Sequence, residues 1–409
     1  MSPDQKKPSH PAVRLPRSVY ALGLVSLCMD LSSETMQAIL PFLLVTSLGA
    51  TGLLIGFIEG LAEVVSAGLK LVSGSLSDRF TRRKIPMVIG YGLSALVKPL
   101  FPLAGSAMAV LAARLLDRVG KGIRGAPRDA LIADLVPPER RGAAYGLRQT
   151  LDNWGAMFGP LLAVGLARLG FEPREILWVA CLPALAAVLI LVVGVEEPPR
   201  AVPVKLDDAQ PRPDKPRLPR GPLMELPRAF WSLVALASLM SFGRFTDAFL
   251  LLGAGRAGIS LTEAPLLLAV MSGVYALLAW PMGSLADRAP AGPLLALGLF
   301  AQCIAHLSLA GHPAPEMMFF GATLWGTSMA MTQGLFSKLI AQLAPDHLRA
   351  TAFGAYQLVT GFSLFGSSLV AGVLWDTLGP TPMFLFGAAA AALAGILLPI
   401  VLRFTRPRA

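Results

Sequence analysis

Apolar residues occur in long runs along this chain, and short polar segments separate each run from the next. A helix needs about 20 predominantly apolar residues to cross the hydrocarbon core of a bilayer. We therefore predict helices at residues 18–47, 52–76, 85–104, 107–126, 143–168, 175–195, 229–254, 264–284, 292–311, 316–342, 350–375 and 381–403. The pattern indicates an all-α integral membrane protein with twelve transmembrane helices.

Composition supports a membrane protein and excludes other classes. The 409 residues are 54% hydrophobic and 15% charged, with a mean hydropathy of +0.62, which is too apolar for a soluble domain. The net charge of +10 comes from basic residues in short loops, so we expect no nucleic-acid partner. Cys28, Cys181 and Cys303 each stand alone in an apolar run, without disulfide or metal-ligand spacing.

The positions of basic residues predict the orientation of the helices. Lys and Arg near span ends are retained on the cytoplasmic side of a membrane. Basic residues fill the loop at 79–84, whereas the loops near Gly49, Gly105 and Pro380 are short and almost uncharged. We expect a monomeric, multi-pass protein of the inner (plasma) membrane, surrounded by the lipid bilayer, with both termini in the cytoplasm.

A polar segment divides the chain nearly in half. Residues 196–228 are rich in Pro, Arg, Lys and Asp and have no periodic apolar face, which is typical of a linker. The predicted organisation is a cytoplasmic tail at 1–17, a six-helix bundle at 18–195, a cytoplasmic linker at 196–228, a second six-helix bundle at 229–403 and a tail at 404–409.

The two halves repeat one another at an offset of about 208 residues. Gly74-Ser-Leu-Ser-Asp78-Arg79 returns as Gly283-Ser-Leu-Ala-Asp287-Arg288. Two further segments, which begin at Leu131 and Arg141, return at Leu339 and Arg349. The repetition predicts two related bundles about an axis along the membrane normal, with a central cavity where they meet.

The first of these repeated motifs resembles a known family, the major facilitator superfamily, and the resemblance covers the whole chain. Gly74 to Arg83 is similar to the signature loop between helices 2 and 3 of that family, except at Thr81, where the family has Gly. Arg114-Leu-Leu-Asp117-Arg118-Val-Gly120 resembles the helix 4 motif, with Asp117-Arg118 in place of Gln-Gly. Gly155-Ala-Met-Phe-Gly159-Pro160 is similar to a shortened antiporter motif.

The resemblance implies a cytoplasmic gate that holds the two halves together. A carboxylate such as Asp78 can cap a helix of the other half, because the amide groups at a helix N-terminus lack partners. Arg82 or Arg83 is expected to pair with Asp129 or Asp134. Positive-inside anchoring would account for the arginines alone but not for the repeated order of the motif. The predicted gate residues are Gly74, Asp78, Arg79, Arg82, Arg83, Asp129, Asp134, Asp287 and Arg288.

Charged residues inside the spans are the candidates for function, since an ionised side chain at the bilayer centre costs about 3 kcal/mol unless paired or hydrated. Carboxylates in a low-dielectric cavity can load and release protons, and the proton-coupling candidates are Asp30, Glu34, Glu59 and Glu63. Arginine presents a fixed fork to an anion. The substrate-binding candidates are Arg114, Arg118, Lys70, Asn153, Arg244, Asp247 and Gln333.

Two structural alternatives compete with these roles. Arg118, Lys121 and Arg124 lie toward the cytoplasmic end of helix 4, where long basic side chains extend to the interface. Asp30 and Glu34 would also be explained as structural ion pairs with Arg114 and Arg118.

Other chemistries leave no pattern in the sequence. Gly120-Lys121-Gly122 lacks the first glycine and the hydroxyl of a nucleotide-binding loop, and the four histidines are dispersed. We expect no catalytic residues, metal or cofactor, and no enzyme activity. The predicted function is secondary transport of a small anionic or amphipathic solute, coupled to protons, with export by antiport favoured. The alternatives are symport or uniport of a metabolite or siderophore-like solute, a membrane receptor or a membrane-embedded enzyme.

Overall fold

A computed structural model describes residues 15–77, 83–137, 140–197, 225–311, 314–345 and 348–405. These residues form α-helices joined by short turns. Numbered in chain order, the helical segments are α1 (Arg17–Phe42), α2 (Gly52–Ser77), α3 (Lys84–Val97 and Leu100–Leu103), α4 (Ala107–Leu135), α5 (Arg141–Arg168), α6 (Pro173–Val179 and Cys181–Gly194), α7 (Arg228–Phe242 and Ala248–Ala254), α8 (Pro265–Arg288), α9 (Ala291–Ala310), α10 (Pro315–Leu343), α11 (Arg349–Leu378) and α12 (Pro380–Thr405).

Each predicted span coincides with one of these segments, so the predicted fold class is confirmed. The main differences are interruptions and lengths. A π-helix, Leu43–Ser47, continues α1, and α7 is broken between Phe242 and Ala248. The fourth helix extends to Leu135, well beyond the predicted end at 126, because its polar second part packs inside the protein and not in lipid.

Within the described residues, seven helices are long and apolar enough to cross a membrane by length and composition. They are Gly52–Leu69, Lys84–Leu103, Pro173–Gly194, Pro265–Gly283, Ala291–Ala310, Thr351–Leu378 and Pro380–Arg403. Helix α4 is not among them because it carries several buried charges, and α7 is not because each of its two pieces is short.

The helices pack as two halves, α1–α6 and α7–α12. In the first half α1 packs against α5 and α6, and α4 packs against α2 and α3. In the second half α9 packs against α10 and α12, and α8 against α10. The most extensive contacts between the halves are those of α2 with α11 and of α5 with α8, and α1 also contacts α7.

The hydrophobic clusters show where the halves join. We call the end of the helices that carries Arg83 and Lys84 the basic end, and the end that carries Gly49 and Gly379 the neutral end. One cluster, which includes Phe42, Phe101 and Phe249, draws residues from both halves toward the neutral end. Toward the basic end each half has its own cluster. The apolar interior of the described residues is therefore continuous between the halves only at the neutral end.

Glycines allow α2 and α11 to touch through their backbones. A Cβ atom at Gly56 would overlap the carbonyl oxygen of Ser368, and one at Gly372 would lie 2.6 Å from the carbonyl oxygen of Gly52. Small residues at a helix interface permit this approach in membranes. The contact closes the neutral end along this pair of helices.

A carboxylate reinforces the same closure. The Asp376 side chain on α11 accepts hydrogen bonds from the backbone amides of Gly52 (2.7 Å) and Leu53 (2.8 Å) at the start of α2. An ionised group at a helix N-terminus also interacts favourably with the helix dipole. Arg168 and Glu263 form a further bridge between the halves at 3.0 Å, but both side chains are exposed.

Replacing Gly56 with Ala is expected to open the neutral end. The added methyl group would overlap the backbone of α11, and such overpacking costs about 1–3 kcal/mol. The distance between spin labels at the exposed positions Met108 and Leu261, one in each half, should increase and broaden. Gly68→Ala on the same helix is the matched control, because no atom lies within 4 Å of its added Cβ. An equal change in both variants would contradict the proposed role of the contact.

Removing the charge of Asp376 should open the same end to a smaller degree. Loss of a helix cap costs about 1 kcal/mol, which corresponds to an approximately fivefold change in the ratio of closed to open molecules. We expect Asp376→Asn to shift the spin-label distances toward the open population. Glu263→Gln serves for comparison, since an exposed ion pair contributes little. A larger shift in Glu263→Gln than in Asp376→Asn would show that the cap is not the stronger contact.

Candidate functional site

A cavity of about 190 Å³, lined by both charged and apolar side chains, lies between the halves. Its lining comes from α1, α2, the break in α7, α10 and α11. The residues that line it are Gln37, Glu59, Gly60, Glu63, Arg244, Phe245, Thr246, Asp247, Trp325, Met329, Gln333, Leu364 and Ser368. Four of the predicted site residues with charged side chains therefore meet at one place.

Two ion pairs connect α2 to α4, and we call them the charge ladder. Arg114 Nη2 lies 2.5 Å from Glu59 Oε2, and Arg118 Nη2 lies 3.2 Å from Glu63 Oε1. Both helices place these residues four positions apart, so the two pairs lie one helical turn from each other. Arg114 also donates a hydrogen bond to Gln37 on α1 at 3.1 Å.

The two pairs of the ladder differ in their access to solvent. The side chains of Arg114 and Glu59 are 3% and 8% exposed, whereas Glu63 is 41% exposed. The inner pair is thus nearly dry, and the outer pair presents one carboxylate to the cavity. A partly hydrated ion pair is easier to separate than a buried one.

The close ion pairs of Arg114 and Arg118 go to carboxylates of α2. Glu34 on α1 also interacts electrostatically with both arginines, without a salt bridge to either among the described residues. Arg118 is 7% and Arg124 4% exposed, so neither side chain extends to the interface. Arg124 instead donates to Ser94 at 2.5 Å and lies over the ring of Tyr91, 4.6 Å from its centroid.

Asp30 and Glu34 lie where α1 contacts α5. A Cβ atom at Gly155 would lie 3.0 Å from Cβ of Asp30, and one at Gly159 would lie 2.6 Å from Cβ of Glu34. The glycines of the predicted antiporter-like motif thus bring α5 against the acidic face of α1. Electrostatic interactions connect Glu34 with Lys121 and with Asp30.

Asp152 on α5 was not among the predicted site residues. It accepts a hydrogen bond from Arg148 Nη1 at 2.7 Å. Asp30 lies close enough to interact with it electrostatically. The sequence signal for Asp152 was its spacing from the glycine motif. It lies three residues before Gly155, so both positions are on the face of α5 that contacts α1.

The second half contributes its charges from the break in α7. Gly243 lets this segment approach α12, where a Cβ atom would lie 2.9 Å from Cβ of Ala390. The backbone amide of Thr246 donates to Ser368 Oγ on α11 at 3.3 Å. These contacts hold Arg244 and Asp247 at the cavity wall.

An aromatic cluster supports that wall from behind. Phe245 and Trp325 line the cavity, and their ring centroids are 5.8 Å apart in an edge-to-face arrangement. The buried ring of His306 lies 4.9 Å from Trp325 and 5.2 Å from Phe245. Aromatic rings are therefore packed against one another at the wall that carries the two charged residues.

The other predicted site residues fall in several places. Gln333 lines the cavity, whereas Asn153 accepts a hydrogen bond from Gln149 at 3.1 Å and is absent from the lining. Asp129 accepts a hydrogen bond from Arg128 at 3.1 Å. Three of the predicted gate residues lie outside the described residues, namely Asp78, Arg79 and Arg82. The surroundings of Gly74 and the side chains of Lys70, Asp287 and Arg288 are also not described.

Part of the predicted gate can be located at the basic end. Arg83 Nε lies 3.1 Å from Asp134 Oδ2, so the expected pairing of these residues is present. Glu197, which the sequence did not indicate, accepts hydrogen bonds from the backbone amides of Arg83 (2.5 Å) and Lys84 (3.3 Å). It thereby ties the start of α3 to the end of α6. The gating role of these residues stays a prediction.

Metal binding has no support in the part of the chain that the structure describes. No group of three or more His, Cys, Asp or Glu residues there is placed to hold a metal ion.

Comparison with known proteins identifies the class of protein. The sequence profile of the Major Facilitator Superfamily matches residues 22–255 and 248–409, and the chain belongs to this family of membrane transporters. An uncharacterized MFS-type transporter of Methanocaldococcus jannaschii is 30% identical over 392 residues, which are 94% of each chain. The multidrug resistance protein MdtH of Proteus mirabilis is 32% identical over 154 residues, 37% of this chain and 38% of the relative.

A solved structure shows the same fold at low sequence identity. The bacterial homologue of the human lysosomal transporter Spinster, in an inward-facing and occupied conformation, has a TM-score of 0.72 and 17% identity over 95% of each chain. The protein is thus a multi-pass membrane protein with the fold of this transporter family.

The charge ladder yields a stability prediction. Arg114→Gln leaves Glu59 buried without its guanidinium partner, and breaking a buried pair in this way costs about 3–5 kcal/mol. The double variant with Glu59→Gln should recover much of that loss, because no unpaired charge remains. Arg118→Gln should cost less, since Glu63 is partly hydrated. Reversible unfolding in SDS measures all three, and additive losses in the double variant would argue against a direct pair.

Proposed function

We propose that the protein is a secondary active transporter that moves a small anionic or amphipathic solute across the inner membrane by alternating access, coupled to protons. The supporting observation is the charged cavity between the halves, which is closed at the neutral end by α2 and α11. A cavity at this position is the expected binding site in a transporter made of two repeats.

The packing of the halves supports alternating access. The halves share one apolar cluster at the neutral end and have separate clusters toward the basic end. A rocking motion of the halves about the cavity would separate them at the neutral end and bring them together at the basic end. The glycine contacts at the neutral end would permit this separation, because they are close but involve few side chains. We assign the six-helix bundles to 18–195 and 229–403, joined by the linker at 196–228, with the basic end and both termini in the cytoplasm.

The charge ladder supports coupling to protons. Glu63 faces the cavity, so an anionic group that approaches Arg118 competes with this carboxylate for the guanidinium. A carboxylate displaced from its arginine in a low-dielectric site favours the protonated form. Glu59 repeats the arrangement deeper in the protein, and Asp30 and Glu34 add two carboxylates without salt bridges among the described residues.

Export by antiport is the favoured direction. The relatives named MdtH are multidrug resistance proteins, and the match to them covers about a third of this chain. The contact of Gly155 and Gly159 with α1 gives the antiporter-like motif a structural basis beside the carboxylates of α1. The partial similarity to MdtH and the motif are the support for proposing export.

Proton movement in proteoliposomes tests the proposed function. Purified protein is reconstituted with an internal pH dye and challenged with benzenesulfonate, phenylalanine or ethidium, which carry an anionic, a zwitterionic and a cationic group. We expect at least one solute to change the internal pH and Glu63→Gln to abolish that change. Glu316→Gln, an exposed residue at the start of α10, is the control and should retain it.

Two outcomes would refute parts of the proposal. Folded wild-type protein that moves none of the three solutes, and no protons, would favour a receptor. Solute flux that persists in Glu63→Gln with unchanged proton movement would remove this carboxylate from coupling.

A further inference from the structure

Two opposite charges on one wall of the cavity form no salt bridge with any other described residue. Arg244 and Asp247 both line the cavity, and the electrostatic interaction between them does not bring their charged atoms into a close ion pair. The Nε and Nη2 atoms of Arg244 are buried without hydrogen-bond partners in this part of the chain. Burying a charge without a close ion pair is costly, so a ligand that brought an opposite charge to each residue would stabilise both.

The facing wall does not supply the missing partners. Its carboxylates, Glu59 and Glu63, are already paired with Arg114 and Arg118 in the charge ladder. Glu34 on α1 acts electrostatically on Asp247 and adds further negative charge there. The surroundings of Asp247 therefore favour a cation, and those of Arg244 favour an anion.

The spacing and shape of the wall set the size of the ligand. Arg244 and Asp247 are three residues apart in the non-helical break, and Phe245 and Trp325 form the apolar surface beside them. The cavity of about 190 Å³ is smaller than the roughly 300–1,000 Å³ of drug-sized pockets. It suits one small molecule with a single ring-sized apolar group. An aromatic face also attracts an ammonium group.

We infer that the solute is a small zwitterion whose anionic group binds Arg244, whose ammonium group binds Asp247, and whose apolar group packs against Phe245 and Trp325. The inference rests on the proposed function and narrows its solute class to molecules of the amino-acid type. Arg244 and Asp247 are then binding residues of the second half, and the charge ladder remains the separate coupling element of the first.

Matched probes test the two charges separately. Binding to purified full-length protein is measured by calorimetry with phenylalanine, 3-phenylpropionate, which lacks the ammonium group, and phenylalaninamide, which lacks the carboxylate. We expect phenylalanine to bind about thirtyfold or more tightly than either analogue, because each analogue leaves one buried charge unpaired.

Each of two variants should remove one of these two preferences. Asp247→Asn should lower the affinity for phenylalanine to that for 3-phenylpropionate and leave the latter unchanged or tighter. Arg244→Gln should lower it to that for phenylalaninamide. Arg256→Gln and Glu316→Gln, at exposed positions that the cavity does not use, should bind all three probes as the wild type does.

The inference is overturned if folded wild-type protein binds either analogue as tightly as phenylalanine, or binds no phenylalanine. The comparison of probes on the wild type stands even if a variant fails to fold. Binding needs no gradient, so its outcome can be separated from that of the transport assay. Selective binding of the zwitterion without flux refutes only the proposed transport function. Flux of a singly charged solute without a preference for the zwitterion refutes only this inference.

Discussion

The cost of ionised groups away from water governs this structure. Helix α4 carries arginines through the middle of the first half, and each must be neutralised within the protein. Helix α2 meets that requirement with two glutamates at matching spacing, and the inner pair is almost completely buried. The position of α2 is thereby fixed against α4 on one side, while its glycines face α11 on the other. Helix α2 thus neutralises arginines of the first half and also contacts the second half.

Helix positions followed from the sequence because lipid imposes length and hydrophobicity on every span. The motif shared by Gly74 and Gly283 likewise indicated two related halves without any structure. The residues of the cavity were partly predictable as well, since Glu59, Glu63, Arg244 and Asp247 are charges in apolar runs that need an explanation. Gln333 was also located at the cavity, although glutamine is a weaker signal.

Pairing between charges could not be predicted in the same way. Asp30 and Glu34 on α1 have the same spacing as Glu59 and Glu63 on α2, so periodicity alone could not decide which pair meets Arg114 and Arg118. The answer depends on which helices are neighbours and at what height. Asp152 was missed for a related reason, because the sequence does not show that this position of α5 lies close to Asp30 on α1. The break in α7 has no proline, and the packing of Gly243 against α12 and the hydrogen bond from Thr246 to Ser368 hold it in place.

Ser368 on α11 contacts both the break in α7 and helix α2. Its hydroxyl accepts the amide hydrogen of Thr246, which stands between the ligand-facing charges, and its carbonyl oxygen packs against Gly56 of α2. In the proposed binding mode, a solute that draws Arg244 and Asp247 together would pull on Thr246 and hence on α11. Occupancy of the pocket and closure of the neutral end would then be linked through one residue, without a flexible loop between them.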